Sequence, residues 1–156
     1  MKRLAILIAA LLIAGLAQAE MRPFVSGSLQ KIERAQKGKP FILGFWSASC
    51  THCPAELKAL GELVRKYPKL ELILVATDTP AEAPELEQLA QDYGVAPQAR
   101  WVFADAQPER LRYEIDRRWY GELPRTYFYD GRQQRKGHSG VLPTAQLEQW
   151  ASEHVK

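Results

Sequence analysis

Phe41-Ile42-Leu43-Gly44-Phe45-Trp46-Ser47-Ala48-Ser49-Cys50-Thr51-His52-Cys53-Pro54-Ala55-Glu56-Leu57 is the stretch on which the fold turns. Its first six residues are apolar without alternation, the pattern of a strand buried on both faces. The only two cysteines of the chain follow, separated by two residues. From Pro54 onward the apolar positions change to helical spacing: Leu57, Leu60, Leu63, Val64 and Tyr67 share one side of a helix over 54–67, which Pro68 ends. A second apolar run, 70–77, reads as another buried strand. Strand, helix and strand in that order form a right-handed βαβ unit with the cysteines at its strand-to-helix turn.

Working outward, a helix is predicted over 28–36, with Ser28 as its cap, Leu29, Ile32 and Ala35 on one face and Gly38 closing it. Beyond the strand over 70–77, a loop with two prolines leads to a helix over 85–93 ended by Gly94, and then to a short strand over 100–104. A helix over 108–120 places Leu111, Ile115 and Trp119 on one side. Residues 126–129 and 133–139 read as a hairpin around Asp130-Gly131, and a helix over 144–155 turns Leu147, Trp150, Ala151 and Val155 inward. This alternation predicts an α/β domain spanning 20–156, long enough for one core, with no repeats or linker.

Residues 1–19 set the expected compartment. Lys2 and Arg3 precede an apolar stretch over 4–16, and Ala17-Gln18-Ala19 supplies a small-x-small cleavage pattern. As a helix that stretch reaches only about 20 Å, against a hydrocarbon core of roughly 30 Å. A signal peptide cleaved after Ala19 and a periplasmic mature protein are therefore expected, in preference to a retained N-terminal anchor. No cysteine near the cut offers a lipid attachment site. Loss of Lys2 and Arg3 brings the formal charge of +3 close to neutral, which argues against nucleic acid or a membrane surface as partner. Arg110, Arg112, Arg117, Arg118 and Arg125 are interspersed with Glu109, Glu114, Asp116 and Glu122, and read as a solvated mixed-charge segment rather than a docking patch.

A disulfide closed over two residues constrains little of the unfolded chain, so Cys50 and Cys53 make a poor staple. They make a good redox pair. Cys50 lies where the N-terminus of a helix favours a thiolate and is the expected nucleophile. Cys53, one turn in, is the expected resolving thiol. His52 either tunes the thiols by its charge or merely caps the loop. Haem attachment would require histidine where Pro54 stands. Structural zinc would need four ligands, from two cysteines and only His52, His138 and His154 besides. An inert surface disulfide is the remaining alternative. Glu56 is the one charged residue inside the apolar arc of the 54–67 helix, one turn beyond Cys53. Buried there, its carboxyl would titrate high and exchange protons with the thiol; at the rim it would reach water.

Phe45-Trp46 ahead of the cysteines, Cys50-x-x-Cys53-x-x-Glu56 and Gly121-Glu122-Leu123-Pro124-Arg125-Thr126-Tyr127-Phe128 resemble the thioredoxin superfamily. Within it, they resemble the exported TlpA/ResA-like thiol-disulfide oxidoreductases. The resemblance implies a mixed central sheet flanked by helices, with the helix and strand of 85–104 inserted before a cis-proline loop. It also implies a cis Leu123-Pro124 bond facing the cysteines, with the Leu123 main chain free to pair with substrate, Trp46 supporting the site and Glu56 assisting proton transfer. Gly44 stands where thioredoxin carries a buried aspartate, Ser49 where a tryptophan is usual, and Thr51-His52 departs from the dipeptide of reducing members. The activity implied is reduction of disulfides in exported proteins, such as apocytochrome c or copper-site cysteines, with a membrane-bound redox partner recharging the pair. The alternatives are a DsbA-like oxidase or isomerase, and a Cu(I) metallochaperone holding the ion on Cys50 and Cys53. No cofactor beyond the redox-active Cys50–Cys53 disulfide and no metal is expected of the oxidoreductase.

Overall fold

The computed structural model describes residues 21–155, so the expected signal peptide over 1–19 lies outside the described residues. Along the chain run β1 (Arg22–Phe24), α1 (Ser28–Ala35), β2 (Phe41–Trp46), α2 (Cys53–Lys66), β3 (Glu71–Ala76), α3 (Ala83–Asp92), β4 (Ala99–Phe103), α4 (Pro108–Ile115), β5 (Arg125–Tyr129), β6 (Arg135–Ser139) and α5 (Thr144–His154). The strands form one sheet in the order β1-β4-β3-β2-β5-β6. β1, β4, β3 and β2 are parallel, whereas β5 pairs antiparallel with β2 and β6 antiparallel with β5. No helix among the described residues is long and apolar enough to cross a membrane.

Period-two alternation assigns β2 to two cores. Phe41, Leu43 and Phe45 pack with Leu29, Ile32, Leu111, Ile115, Tyr127 and Tyr129, on the side of α1 and α4. Ile42 and Trp46 pack with Cys53, Leu57, Leu60, Phe128 and Leu147, on the side of α2 and α5. All six residues of β2 are buried, as expected for a central strand with helices on both faces. The predicted βαβ unit is present, with β2 and β3 paired in register from Phe41–Glu71 to Trp46–Ala76.

Gly44 fits its place sterically. A Cβ there would lie 2.7 Å from Leu74 Cδ2, so Leu74 fills the space that a side chain at this position would need. Two local expectations are corrected. Ser28 does not cap α1; Gly27 is the cap residue, and the Ser28 hydroxyl accepts the Val25 N–H at 3.0 Å. The helix predicted over 108–120 stops at Ile115, because Asp116 turns extended (φ −159°, ψ 118°) and its carboxylate accepts bonds from Arg118 N, Arg125 and Tyr127. Trp119 is nonetheless buried. The three-residue β1 gave no sequence signal, being short and holding Pro23, which an edge position tolerates.

Candidate active site

The loop leaving β2 carries the cysteines. Thr77 N donates to Trp46 O at 2.8 Å, so β2 and β3 stay together to their ends, and Cys50 N donates to Ser47 O at 3.2 Å, closing a tight turn. Cys50 and Cys53 form a disulfide with their Cα atoms 5.4 Å apart. Cys53 opens α2, and its N–H points at Cys50: 3.1 Å to Sγ and 3.3 Å to the carbonyl oxygen. Pro54 has no N–H to offer, and the exposed His52 caps the helix without a side-chain hydrogen bond. In the dithiol form, the Cys53 amide and the helix dipole favour negative charge on Cys50. Cys50 is half-buried whereas Cys53 is only 1% exposed, so Cys50 is the sulfur that a partner can reach.

Glu56 follows Cys53 by three residues, on the same helix face. It is 1% exposed, which corrects the rim alternative. Its Oε1 accepts from Thr126 Oγ1 at 3.0 Å, and its Oε2 accepts from Leu142 N at 2.8 Å. One carboxyl thus joins α2, β5 and the loop before α5. Burial pushes it above the usual carboxylate value, and these two hydrogen bonds pull it part of the way back. Trp46, also 1% exposed, belongs to the same cluster as Cys53.

The Leu123-Pro124 bond is cis. Its position follows from register: β5 pairs antiparallel with β2 and Arg125 lies opposite Phe45, so Pro124 and Leu123 continue beside Trp46 and Ser47. Gly140 N donates to Pro124 O at 2.8 Å, while among the described residues no hydrogen bond engages the Leu123 main chain. The cis bond implied by the resemblance is therefore present, in a bend that precedes β5 and leaves the Leu123 main chain without a hydrogen bond beside the cysteine loop.

Sequence reading missed Asp78. Half-buried after β3, it accepts Ser47 Oγ at 2.8 Å and Ala48 N at 3.2 Å. Ser47 Oγ in turn lies 2.9 Å from Ser49 Oγ and accepts Ser49 N at 3.2 Å. This chain of bonds satisfies the amides of the two residues before Cys50. Burial raises the Asp78 carboxyl, against the bonds from Ser47 and Ala48 that lower it. The available signal was an acid just past the strand paired with β2, opposite two serines. No three His, Cys, Asp or Glu side chains among the described residues gather as a metal site.

Comparison with known proteins gives the same fold. Residues 25–134 match the model of the AhpC/TSA family. A thiol:disulfide interchange protein of the thioredoxin family from Chlorobium tepidum superimposes with a TM-score of 0.62 at 15% identity, over 80% of this chain and 85% of that one. The thioredoxin domain of a thiol-disulfide oxidoreductase from Bacteroides vulgatus gives 0.61 at 17% identity, over 79% and 84%. A secreted Mycobacterium tuberculosis disulfide oxidoreductase homologous to E. coli DsbE gives 0.58 at 18% identity, over 77% and 85%. At these identities the likeness is one of fold, and that fold is thioredoxin-like. No curated protein matches the sequence.

Proposed function

The chain belongs to the AhpC/TSA family, and we propose that within it the protein is a thiol-disulfide oxidoreductase that reduces disulfides of other exported proteins. The observation carrying this reading is the arrangement at the turn: a reachable Cys50 whose sulfur faces the Cys53 amide, and a buried Cys53 one turn from a buried carboxyl. The Cys50 thiolate attacks a substrate disulfide, forming a bond to one substrate sulfur and releasing the other as a thiolate. The Cys53 thiolate then attacks Cys50, releasing the second substrate thiolate and leaving the Cys50–Cys53 disulfide. Two electrons pass to the substrate, and a membrane-bound reductant restores the dithiol. Glu56 accepts the Cys53 proton before the second attack, consistent with a carboxyl held above its ordinary range. Leu123 and Pro124 align the substrate strand, His52 tunes the thiols, and Trp46 supports the loop.

The signal-like residues 1–19 support a periplasmic setting. Resemblance to the TlpA/ResA-like proteins supports apocytochrome c or copper-site cysteines as substrates. The test pairs two variants with one equilibrium. Cys50→Ser is expected to abolish exchange, and Cys53→Ser to accumulate a mixed disulfide visible by mass spectrometry. Equilibration with glutathione should give a potential near about −270 mV; a value near about −120 mV would instead make the protein an oxidase. Tight binding of one Cu(I) without turnover would favour a metallochaperone.

A further inference from the structure

We propose that Arg125 is a positioning residue that clamps the Glu122–Pro124 loop in the shape a polypeptide substrate must meet. The proposal rests on the exchange reaction above and adds the residue that presents its substrate strand. Arg125 reads from sequence as one of five solvated arginines, yet its side chain is only 13% exposed. Its Nη2 donates to Asp116 Oδ2 at 3.1 Å, and its Nη1 donates to Ser139 Oγ at 2.8 Å. The guanidinium carbon lies 4.7 Å from the centre of the Tyr127 ring.

Ser139 relays the clamp to the loop by donating to Glu122 Oε1 at 2.8 Å, and Glu122 Oε1 is 4.0 Å from Arg125 Nη1. Tyr120 N donates to Glu122 Oε2 at 3.1 Å, and Trp119 Nε1 donates to Glu122 O at 2.9 Å. The loop is thus braced against the end of α4 through Asp116 and against edge strand β6 through Ser139. Leu123 is passed over by every one of these bonds and keeps its main chain open beside the cysteine turn.

Gly137 makes the clamp possible. It pairs with Tyr127 across the β5–β6 ladder, and a Cβ there would lie 2.5 Å from Arg125 Nη2, 2.8 Å from Cε1 of the Tyr127 ring on which the guanidinium sits, and 3.0 Å from Arg125 Cζ. The missing side chain is the slot in which the guanidinium lies. A planar fork bonded on two sides and seated on a ring is a role that lysine fills poorly. Holding the loop before substrate arrives removes an ordering cost from binding, and only a substrate that pairs with the loop benefits. A small disulfide attacked directly by Cys50 gains nothing from it.

The experiment compares two oxidised substrates of the fully reduced protein: an extended peptide with one disulfide, and 5,5′-dithiobis(2-nitrobenzoate). Arg125→Met is expected to lower kcat/KM for the peptide about tenfold, mainly through KM, and to leave the small-disulfide rate and the glutathione equilibrium within about twofold. Arg125→Lys should fall between wild type and Arg125→Met. Gly137→Ala, which displaces the guanidinium without removing it, should reproduce the peptide defect and serves if Arg125→Met does not fold. Equal loss with both substrates, or an unchanged peptide KM in a folded variant, overturns the clamp. Failure of the wild-type protein to reduce the peptide overturns the proposed reductase and the clamp with it.

Discussion

Truncating Glu56 to alanine removes the acceptor for two donors carried by buried residues: the hydroxyl of Thr126, a residue 1% exposed, and the amide of Leu142, a residue 2% exposed. A stranded buried donor costs about 1–3 kcal/mol, and the lost carboxyl adds a small cavity. Taking the Leu142 amide in full and the rotatable hydroxyl in part, the expected loss is about 3 kcal/mol. That is a large share of the roughly 5–15 kcal/mol by which a domain is stable. With a denaturant slope near about 2 kcal/mol per M, the urea midpoint of the oxidised protein should fall by about 1.5 M at neutral pH. Glu56→Gln separates hydrogen bonding from charge. The amide oxygen can accept Leu142 N while the amide N–H donates to Thr126 Oγ1, so this variant should stay within about 1 kcal/mol of wild type.

The pH dependence has a definite sign. The folded-state carboxyl titrates above 4.5, the value of an exposed glutamate, because burial disfavours the anion. Between those two values the folded chain holds a proton that the unfolded chain has released. Stability therefore decreases as pH rises through that window, and is flat in this respect below and above it. The wild-type stability minus that of Glu56→Gln, followed by urea titration from about pH 4 to pH 9, isolates this contribution. A difference that stays flat or rises with pH refutes the buried-carboxyl reading. So does a Glu56→Ala midpoint indistinguishable from wild type.

Two other perturbations probe the frame around the cysteines. Gly44→Asp forces a side chain into Leu74 and buries a carboxylate; it should cost about 3 kcal/mol or more, and combining it with Leu74→Ala should show a favourable coupling of about 1 kcal/mol or more in a urea double-mutant cycle. Strict additivity would contradict the steric account. Asp78→Ala should cost about 1–2 kcal/mol, discounted because water reaches the half-buried site, and should speed hydrogen exchange of the Ala48 amide about tenfold while β2 amides keep their protection. Unchanged Ala48 exchange would show that Asp78 does not hold the loop.

Much of the scaffold could be read from short-range pattern. The unalternating run at Phe41–Trp46 marked a strand with helices on both faces, and helical spacing over 54–67 placed Glu56 inside the apolar arc, where it is found. Pattern failed where a local preference was overruled from a distance. Helical spacing continues through Trp119, but Asp116 leaves the helix to meet Arg125 and Tyr127 from β5. Ser28 has the chemistry of a cap, yet its hydroxyl faces back to Val25.

The βαβ unit, the place of the cysteines at its turn and the side of the helix on which Glu56 lies are all legible in the amino-acid order, because backbone periodicity and spacing act over a few residues. What those side chains meet depends on the assembled fold. Glu56 finds its partners 70 and 86 residues away. Asp78 reaches the cysteine loop from the neighbouring strand's end. Arg125 is buried because the β5–β6 register places it over a glycine. Periodicity says which way a side chain faces, whereas partners depend on how distant segments come into register.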